Sequence, residues 1–137
     1  RHIRPSSHGE FEIIVEGIQR CILQEQDSDR PYRLARPEPF GEEPVDDGIV
    51  ATHLDDLLGH VGILLHQLGD RGRKLALLVD EDLAPGLLVD RLGAVMLGDA
   101  RSRQAFLENR NLVERIDWLR KVLHDALGRG PQTPSVN

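Results

Sequence analysis

The segment Asn111–Leu127, NLVERIDWLRKVLHDAL, decides the fold of this chain. Apolar residues recur in it every three or four positions, which places them on one stripe of an α-helix. The stripe consists of Leu112, Ile116, Leu119, Leu123 and the pair Ala126 and Leu127. A lone helix of this length is marginal in water without tertiary packing. We therefore predict that it forms one wall of a helical bundle and that preceding residues supply the others.

Both ends of this helix are marked in the sequence. Asn111 is suited to accept a hydrogen bond from the backbone N–H of Glu114, whose carboxylate can reach back to Asn111. At the other end, Gly128 offers a left-handed stop and Pro131 blocks any continuation of the helix. The helix should therefore begin just after Asn111 and end near Gly128.

The distribution of isoleucine and leucine divides the chain into two halves. Residues 1–50 contain six isoleucines and two leucines, whereas only Ile63 and Ile116 follow in the leucine-rich remainder. Since β-branched residues suit strands and leucine suits helices, this predicts an α+β fold with a β half before an α half.

The β half should contain several short strands. Phe11, Ile13 and Val15 alternate with glutamates, as in a half-exposed strand, and Ile3 marks the end of a partner strand. Two further strands are predicted, at residues 18–24 and 31–36. The three prolines and one glycine of residues 37–44 favour a connection between the halves. So few strands cannot close a barrel, so at least one should keep an unpaired edge.

The α half should contain four or five helices with short links. The first begins at Asp46 or Asp47 and ends at the glycine-rich residues 69–72. Its predicted buried stripe consists of Val50, Leu54, Leu57, Leu58, Val61, Leu64, Leu65 and Leu68. A short helix is expected in residues 73–81, and Pro85 opens another that ends at Gly98. That helix should bury Leu88, Leu92 and Val95, and the next, capped by Asp99, carries Phe106 and Leu107.

Charge and composition exclude some classes of function. The 137 residues carry a net charge of -6, which argues against nucleic acid as a partner. The single cysteine, Cys21, excludes an internal disulfide and fits a reducing, cytoplasmic location. No uninterrupted apolar run approaches a membrane span, and nothing at the N-terminus resembles a signal peptide, so a soluble protein with no membrane partner is expected.

Three phrases in fixed order resemble the Lon protease N-terminal (LON substrate-binding) domain family. They are EFEIIVEGIQRCIL, RPYRLARPEPF and LLVDRLGAVMLGDARSRQAFLENRNLVERIDWLRKVL. In the last phrase, the positions that match the family pattern are Leu88, Asp90, Arg91, Leu92, Arg103, Gln104, Leu107, Glu108, Glu114, Arg115, Ile116 and Leu119. The family's opening strands have no counterpart here, so about the first third of its domain is missing from this sequence.

This resemblance implies a partial PUA-like β-barrel followed by a helical bundle. It places the β part at residues 1–44, the bundle at 45–128 and a flexible tail at 129–137. It also implies a bacterial, non-catalytic protein of protein quality control that recognises unfolded or damaged polypeptide segments. The glycine- and proline-containing tail favours a stand-alone protein, and homo-oligomers are an open possibility. No cofactor is implied.

A second hypothesis is a small metal-dependent hydrolase. His53, Asp56 and His60 follow one edge of the first long helix at the spacing of a zinc or general-base site. The alternative is a polar shoulder beside the core, which we favour. The chain has no phosphate-binding loop. Cys21 lies in a predicted strand and is interpreted as a small packing residue and not a nucleophile.

Three aromatic residues are candidates for partner binding: Tyr32, Phe40 and Trp118. Trp118 lies off the main stripe of its helix, and the other two lie near the junction of the halves. Each either packs within the protein, which we favour, or anchors a partner chain, because aromatic residues are enriched at binding hot spots.

Overall fold

The protein has an α+β fold, as the residue distribution predicts. The computed structural model describes residues 2–5, 11–14, 17–77, 79 and 82–128. These form two compact units, one comprising residues 1–41 and the other residues 42–137. All described strands belong to the first unit and all described helices to the second.

The described residues of the β unit form two antiparallel pairs of strands. Strand β1 (His2–Pro5) pairs with β2 (Phe11–Ile14), with Ile3 opposite Ile13. Strand β3 (Cys21–Gln26) pairs with β4 (Leu34–Pro39). The predicted partner strand at Ile3 is therefore confirmed, whereas Val15 and Glu16 lie outside the described residues. Among described residues each strand has one neighbour, which leaves every strand with an open edge.

The boundaries of the last two strands differ from the prediction. The sequence predicted strands at residues 18–24 and 31–36 and a connection from residue 37, but β4 continues through Pro37 and Pro39. Phe40 N–H donates to the carbonyl of Arg20 at 3.0 Å, which identifies residues 36, 38 and 40 as those facing β3. Both prolines therefore occupy positions whose backbone nitrogen points away from β3, where no hydrogen bond is lost.

In the part of the helical unit that the structure describes there are five α-helices and one 3₁₀ turn. They are α1 (Asp47–Leu68), the 3₁₀ turn (Gly69–Gly72), α2 (Arg73–Ala76), α3 (Pro85–Met96), α4 (Ala100–Glu108) and α5 (Leu112–Gly128). Helix α5 packs along α1 and α3, and α4 contacts α3. The predicted start of α1 at Asp46 or Asp47 and the predicted proline start of α3 are both confirmed.

Side-chain caps set the beginnings of three helices. Asp46 accepts hydrogen bonds from two N–H groups of α1, and Asp99 accepts one from Ser102 at 2.8 Å. Asn111 caps α5 by accepting from Glu114 N–H at 3.1 Å, as predicted. The predicted return bond from Asn111 N–H to the Glu114 carboxylate is replaced by two others. Asn111 N–H donates to the side-chain oxygen of Asn109, and the Asn109 amide nitrogen donates to the Glu114 carboxylate.

Glycines were predicted to end α1 and α5, and the structure confirms this for α1 only. Gly69 closes α1 with a left-handed φ of 52°, which glycine adopts without a Cβ clash. Gly128 is still helical and has no positive φ, so its predicted left-handed stop is wrong. Residues 129–137, including Pro131 and the predicted tail, lie outside the described residues.

The core of the helical unit lies between α1, α3, α4 and α5. Of the predicted α5 stripe, Leu112, Ile116, Leu119 and Leu123 are buried, whereas Ala126 is exposed and Leu127 is only partly buried. The fully buried apolar side chains of the core come from four helices. They are Leu57, Val61, Leu88, Val89, Leu92, Phe106, Ile116, Leu119 and Leu123. Val95 was predicted to be buried but is 57% exposed, and Val89 takes its place. Gly93 explains the difference, since a Cβ there would lie 2.6 Å from Phe106 Cε1, so α3 turns this small residue toward α4.

Helix α1 is more apolar than an ordinary surface helix. Together with the 3₁₀ turn, it is long and apolar enough to cross a membrane by length and composition. Polar residues interrupt the apolar stretches of α1, so this property was not predicted from the sequence. Three of its residues, Val50, Leu57 and Val61, are buried in the core that α5 completes. One such helix is weak evidence for a membrane span, and 17% of its most apolar 18-residue window is buried.

Candidate functional site

The β3–β4 hairpin forms a ribbon with one apolar face. Residues directly opposite each other in an antiparallel pair share a face. Cys21 lies opposite Pro39, Leu23 opposite Pro37 and Glu25 opposite Ala35. Five of these six side chains are apolar, and we call these five (Cys21, Leu23, Ala35, Pro37 and Pro39) the ribbon apolar face. All five are exposed, and the Leu23 side chain has 66% of its surface accessible.

The other face of the ribbon is mainly polar. It carries Ile22, Gln24, Gln26, Leu34, Arg36 and Glu38. Phe40 follows directly on this register and is partly buried, with the Arg20 guanidinium carbon 6.0 Å from its ring centre. Such a distance is at the limit of a cation–π contact. The predicted candidate Phe40 therefore packs locally, on the face opposite to the ribbon apolar face.

Tyr32 lies in the loop that joins β3 to β4. Its side chain is 53% exposed, and Arg30 both stacks on its ring and donates a hydrogen bond to its hydroxyl. At the base of this loop Arg33 binds both carboxylate oxygens of Glu25, at 2.6 and 2.8 Å. This hydrogen bonding lowers the pKa of Glu25 below its ordinary value. The hairpin tip is thus held in shape and presents one aromatic ring to solvent.

Trp118 lies in the helical unit, apart from the unit that carries Tyr32 and Phe40. It is half-buried and meets the buried ring of Phe106 edge to face, with ring centres 5.9 Å apart. This geometry is a favourable aromatic pair within a core. The structure therefore gives Trp118 a packing role, and its proposed contact with a partner stays a prediction, as do those of Tyr32 and Phe40.

Arg115 is a buried charged residue for which no site was predicted from the sequence. Its side chain is fully buried and ion-pairs with Asp90 of α3 and with Glu42, while its guanidinium lies 5.7 Å from the Phe106 ring centre. A buried cation needs such partners, because burial without them is costly. The burial of Arg115 could have been predicted from its position, since it falls three residues after Leu112 and thus on the apolar stripe.

The residues of the metal hypothesis have separate partners. His53 Nδ1 lies 2.9 Å from Asp117 Oδ1, and His60 Nδ1 lies 2.7 Å from the backbone oxygen of Asp56. The Asp56 carboxylate pairs with Arg120 at 3.1 Å. Within the described part of the chain, no three His, Cys, Asp or Glu side chains are grouped to hold a metal ion. The arrangement matches the polar shoulder beside the core.

The same shoulder contains a carboxylate with a shifted pKa. Partial burial of Asp117 opposes its ionisation, but hydrogen bonds from His53 and Arg120 outweigh this and lower the pKa of Asp117. Arg120 donates to Asp117 at 2.9 Å within α5, and its other terminal nitrogen pairs with Asp56 of α1 at 3.1 Å. These contacts link two packed helices and need no catalytic explanation.

Cys21 was predicted to pack inside the protein, but the structure exposes it. It is the first residue of β3 and is exposed, because the ribbon has no second layer over its apolar face among the described residues. The interpretation of Cys21 as a small packing residue is therefore wrong.

Comparison with known proteins explains the order of these elements. The family described as "ATP-dependent protease La (LON) substrate-binding domain" matches residues 1–125, nearly the whole chain. The chain belongs to the Lon substrate-binding domain family. A Lon protease from Methylocella silvestris is 28% identical over 115 residues, which cover 84% of this chain. Those residues correspond to 14% of the protease, so the chain spans a small part of its length.

Membership of the Lon family gives a context to the buried ion pairs. Asp90 and Arg115 are both positions at which the sequence resembles the Lon pattern, and the fold brings them into direct contact. These two matching positions therefore join α3 to α5 inside the helical unit. The family is named for substrate binding, and that role is therefore the one to relate to the exposed surfaces.

Proposed function

We propose that this chain is a non-catalytic domain that binds unfolded or damaged polypeptide segments. The ribbon apolar face is the observation that carries this proposal. Five apolar side chains, Leu23 among them, stand exposed on one face of a two-stranded ribbon. Exposed contiguous apolar surface is typical of protein interaction sites. Unfolded chains expose the apolar side chains that such a surface would contact, whereas folded proteins bury most of theirs.

Several further properties belong to this proposal. The β unit is part of a PUA-like barrel, and the protein acts in the bacterial cytoplasm in protein quality control. Its partners are polypeptides and, at high concentration, further copies of itself. Nucleic acid and membranes are not partners, since the net charge of -6 opposes contact with phosphate backbones and anionic lipid surfaces.

Cys21 offers a direct test of binding because it is the single cysteine and lies on the ribbon apolar face. The alkylation rate of Cys21 is measured while an unfolded, cysteine-free test polypeptide is added. The expected result is a saturable fall in the rate. The folded form of the same polypeptide is the control and should leave the rate unchanged. Equal protection by both forms would contradict selective recognition of unfolded chains.

Two variants test whether unfolded polypeptide binds to the ribbon apolar face. Leu23→Asp puts a charge on the ribbon apolar face and should weaken binding by about tenfold or more, as hot-spot truncations do. Gln24→Asp puts the same charge on the opposite face of β3, where little effect is expected. Equal losses in both variants would show that the apolar face is not the binding surface.

The three aromatic candidates are tested in the same assay. Tyr32 is the exposed one and its replacement by alanine should weaken binding. Trp118 is the only tryptophan, so its fluorescence reports directly on any contact near α5. An unchanged Trp118 spectrum on binding, together with unchanged affinity of Trp118→Ala, removes this residue from the binding surface.

A further inference from the structure

The side chain of Glu42 lies in a cradle made by two helices of the helical unit. Its carboxylate pairs with the guanidinium of Arg115 on α5, a side chain that is completely buried. It also lies against the first turn of α3, since a Cβ added at Gly86 would overlap a carboxylate oxygen of Glu42. Glycine at this position therefore leaves the room that the carboxylate fills. We call the Arg115 guanidinium and the Gly86 turn the carboxylate cradle.

The start of α3 makes this cradle attractive to an anion. Its N-cap residue, Ala84, makes no side-chain hydrogen bond, and its first turn contains no acidic residue. The N–H groups of a first helical turn carry partial positive charge, which favours a negative group nearby. Glu42 supplies that group from outside the helix. Arg115 adds a full positive charge on the other side of the same carboxylate.

Arg115 has a donor that Glu42 does not use. It binds Asp90 through Nη1 and Glu42 through Nη2. Its Nε is buried and makes no hydrogen bond to any described residue. Nε and Nη2 lie on the same edge of the planar guanidinium and together form a fork that fits both oxygens of a carboxylate. Glu42 thus engages half of the fork, and a better-aligned carboxylate would engage all of it.

Of the two carboxylates on Arg115, that of Glu42 is the more easily replaced. Asp90 is held within α3, whereas residues 42–46 belong to no helix or strand. The Glu42 side chain is 36% exposed, against 26% for Asp90. Two carboxylates on one guanidinium also repel each other, and the departure of one leaves a charge-balanced pair. Asp90 therefore keeps Arg115 paired when Glu42 leaves.

We propose that the carboxylate cradle is a binding site that Glu42 closes from within the chain and that an external carboxylate can take over. The incoming group binds Nε and Nη2 of Arg115 together. A small carboxylate ion and an acidic side chain of another chain present this same chemistry. Binding releases Glu42 and with it the segment that leads into α1. The site lies in the helical unit and does not depend on the proposed function of the ribbon apolar face.

Removal of the Glu42 side chain should open the cradle to acetate. Glu42→Ala is unfolded with urea at pH 7 in sodium acetate and in sodium chloride of equal ionic strength. Acetate should raise the urea midpoint saturably, because it binds the folded state. Glu43→Ala is the matched control, since it shortens the neighbouring glutamate and keeps Glu42. This control and the wild-type chain should need about tenfold or more acetate for the same rise, because Glu42 competes for the cradle.

A second substitution tests whether acetate binds in the cradle itself. Gly86→Ala, added to Glu42→Ala, places a methyl group where the carboxylate lies, and alanine is the better helix former. The double variant should lose the response to acetate. Gly59→Ala in the same background is the control, because a Cβ there meets no atom within 4 Å. It should keep the response.

Peptides distinguish the two sources of the carboxylate in the wild-type chain. A capped peptide with one glutamate, its glutamine counterpart, and acetate are each titrated into the full chain. Trp118 fluorescence reports binding, because its ring meets Phe106, which lies beside the Arg115 guanidinium. The glutamate peptide should change the spectrum at a lower concentration than the glutamine peptide. This titration needs no substitution, so it decides the question even if Glu42→Ala fails to fold.

Each outcome either supports or overturns the inference. A response to acetate and to the glutamate peptide supports a site open to other chains, and a response to acetate alone supports a site for small ions. No acetate response in folded Glu42→Ala, or an equal one in Glu43→Ala, overturns the cradle. A wild-type chain that responds to neither probe shows that Glu42 cannot be replaced and overturns the inference. None of these measurements involves Cys21 or Leu23, so the proposed function is tested separately.

Discussion

Arg115 is the residue on which the interior of the helical unit depends most. It ties α5 to Asp90 of α3 and to Glu42, and it lies beside the ring of Phe106. Glu43 N–H also donates to the carbonyl of Arg110 at 3.1 Å, so the segment entering α1 is fixed to the start of α5 by two contacts. One buried side chain thus sets the relative positions of three elements.

Replacing Arg115 should be more damaging than replacing most core residues. Arg115→Ala removes a fully buried cation and leaves two carboxylates without their shared partner, so we expect a loss of about 3–5 kcal/mol in the free energy of unfolding. Arg115→Lys keeps the charge but cannot bind two carboxylates in the same planar geometry, so its loss should be smaller but measurable. Urea denaturation followed by Trp118 fluorescence measures both. A loss below about 1 kcal/mol for the alanine variant would contradict this role.

Asp117 makes stability depend on pH in the acid range. Its pKa is lowered in the folded protein, so the unfolded chain takes up the proton first as the pH falls. The stabilisation is therefore present above the ordinary aspartate pKa of about 3.9 and is lost as the pH falls through the lower folded value.

We expect Asp117→Asn to reduce this acid dependence. Between pH 5 and pH 3, the urea midpoint of the wild-type protein should fall more than that of the variant. The variant should be the less stable of the two at pH 5, because it has lost the ionised partner of His53 and Arg120. The magnitude is modest, since Asp117 is about half exposed and solvent screens its ion pairs. Parallel acid dependence of the two proteins would show that Asp117 contributes nothing to it.

Helix α5 is the element that organises the helical unit. Leu119 lies at the centre of its buried stripe and is completely buried, whereas Asn111 acts only at its N-terminus. Leu119→Ala should cost about 2–5 kcal/mol through lost burial and the cavity left behind. Asn111→Ala should cost about 0.5–2 kcal/mol through the lost cap. Denaturation of both variants gives the ranking, and a more damaging Asn111→Ala would place the core elsewhere.

The sequence predicted elements well where local chemistry alone decides them. Periodicity and capping residues located α1, α3, α4 and α5, because Asp46, Pro85, Asp99 and Asn111 act on their own helix ends. The end of β4 was not predicted because a proline fits an edge strand only where its nitrogen points away from the neighbouring strand. Which positions point away depends on the strand with which β4 pairs. Val95 was predicted to be buried where Val89 is. The close contact between Gly93 and Phe106, which orients α3, depends on tertiary packing and could not be predicted from the sequence.

The candidate site was less predictable than the fold. Tyr32, Phe40 and Trp118 were chosen because aromatic residues are common at interfaces, but the structure places Phe40 and Trp118 in local packing contacts. The ribbon apolar face consists of residues from two strands that alternate with mainly polar ones. It becomes visible only when the register places Leu23 opposite Pro37. Arg115 could have been found, because it interrupts an otherwise apolar stripe.

The whole chain exposes more apolar surface in its β unit than a stable isolated protein should. Open strand edges and an uncovered apolar face favour association. We predict that the 137-residue chain self-associates at high concentration and that Leu23→Asp weakens this, with Gln24→Asp as the control on the opposite face. Sedimentation velocity over a concentration series measures the effect. A well-folded monomer at all concentrations, with cooperative thermal unfolding, would show that the β unit needs no further strand or copy.

Hydrogen exchange of the backbone, measured with and without saturating unfolded polypeptide, tests the central claim most directly. Polypeptide bound on the ribbon apolar face should shield the backbone of β3, so residues 21–25 should exchange more slowly in the complex. Residues 112–123 of α5 should show no change, because the substrate contacts are assigned to the ribbon. Protection in β3 with none in α5 is the predicted result. Protection confined to the helical unit, with β3 unchanged, would contradict the account.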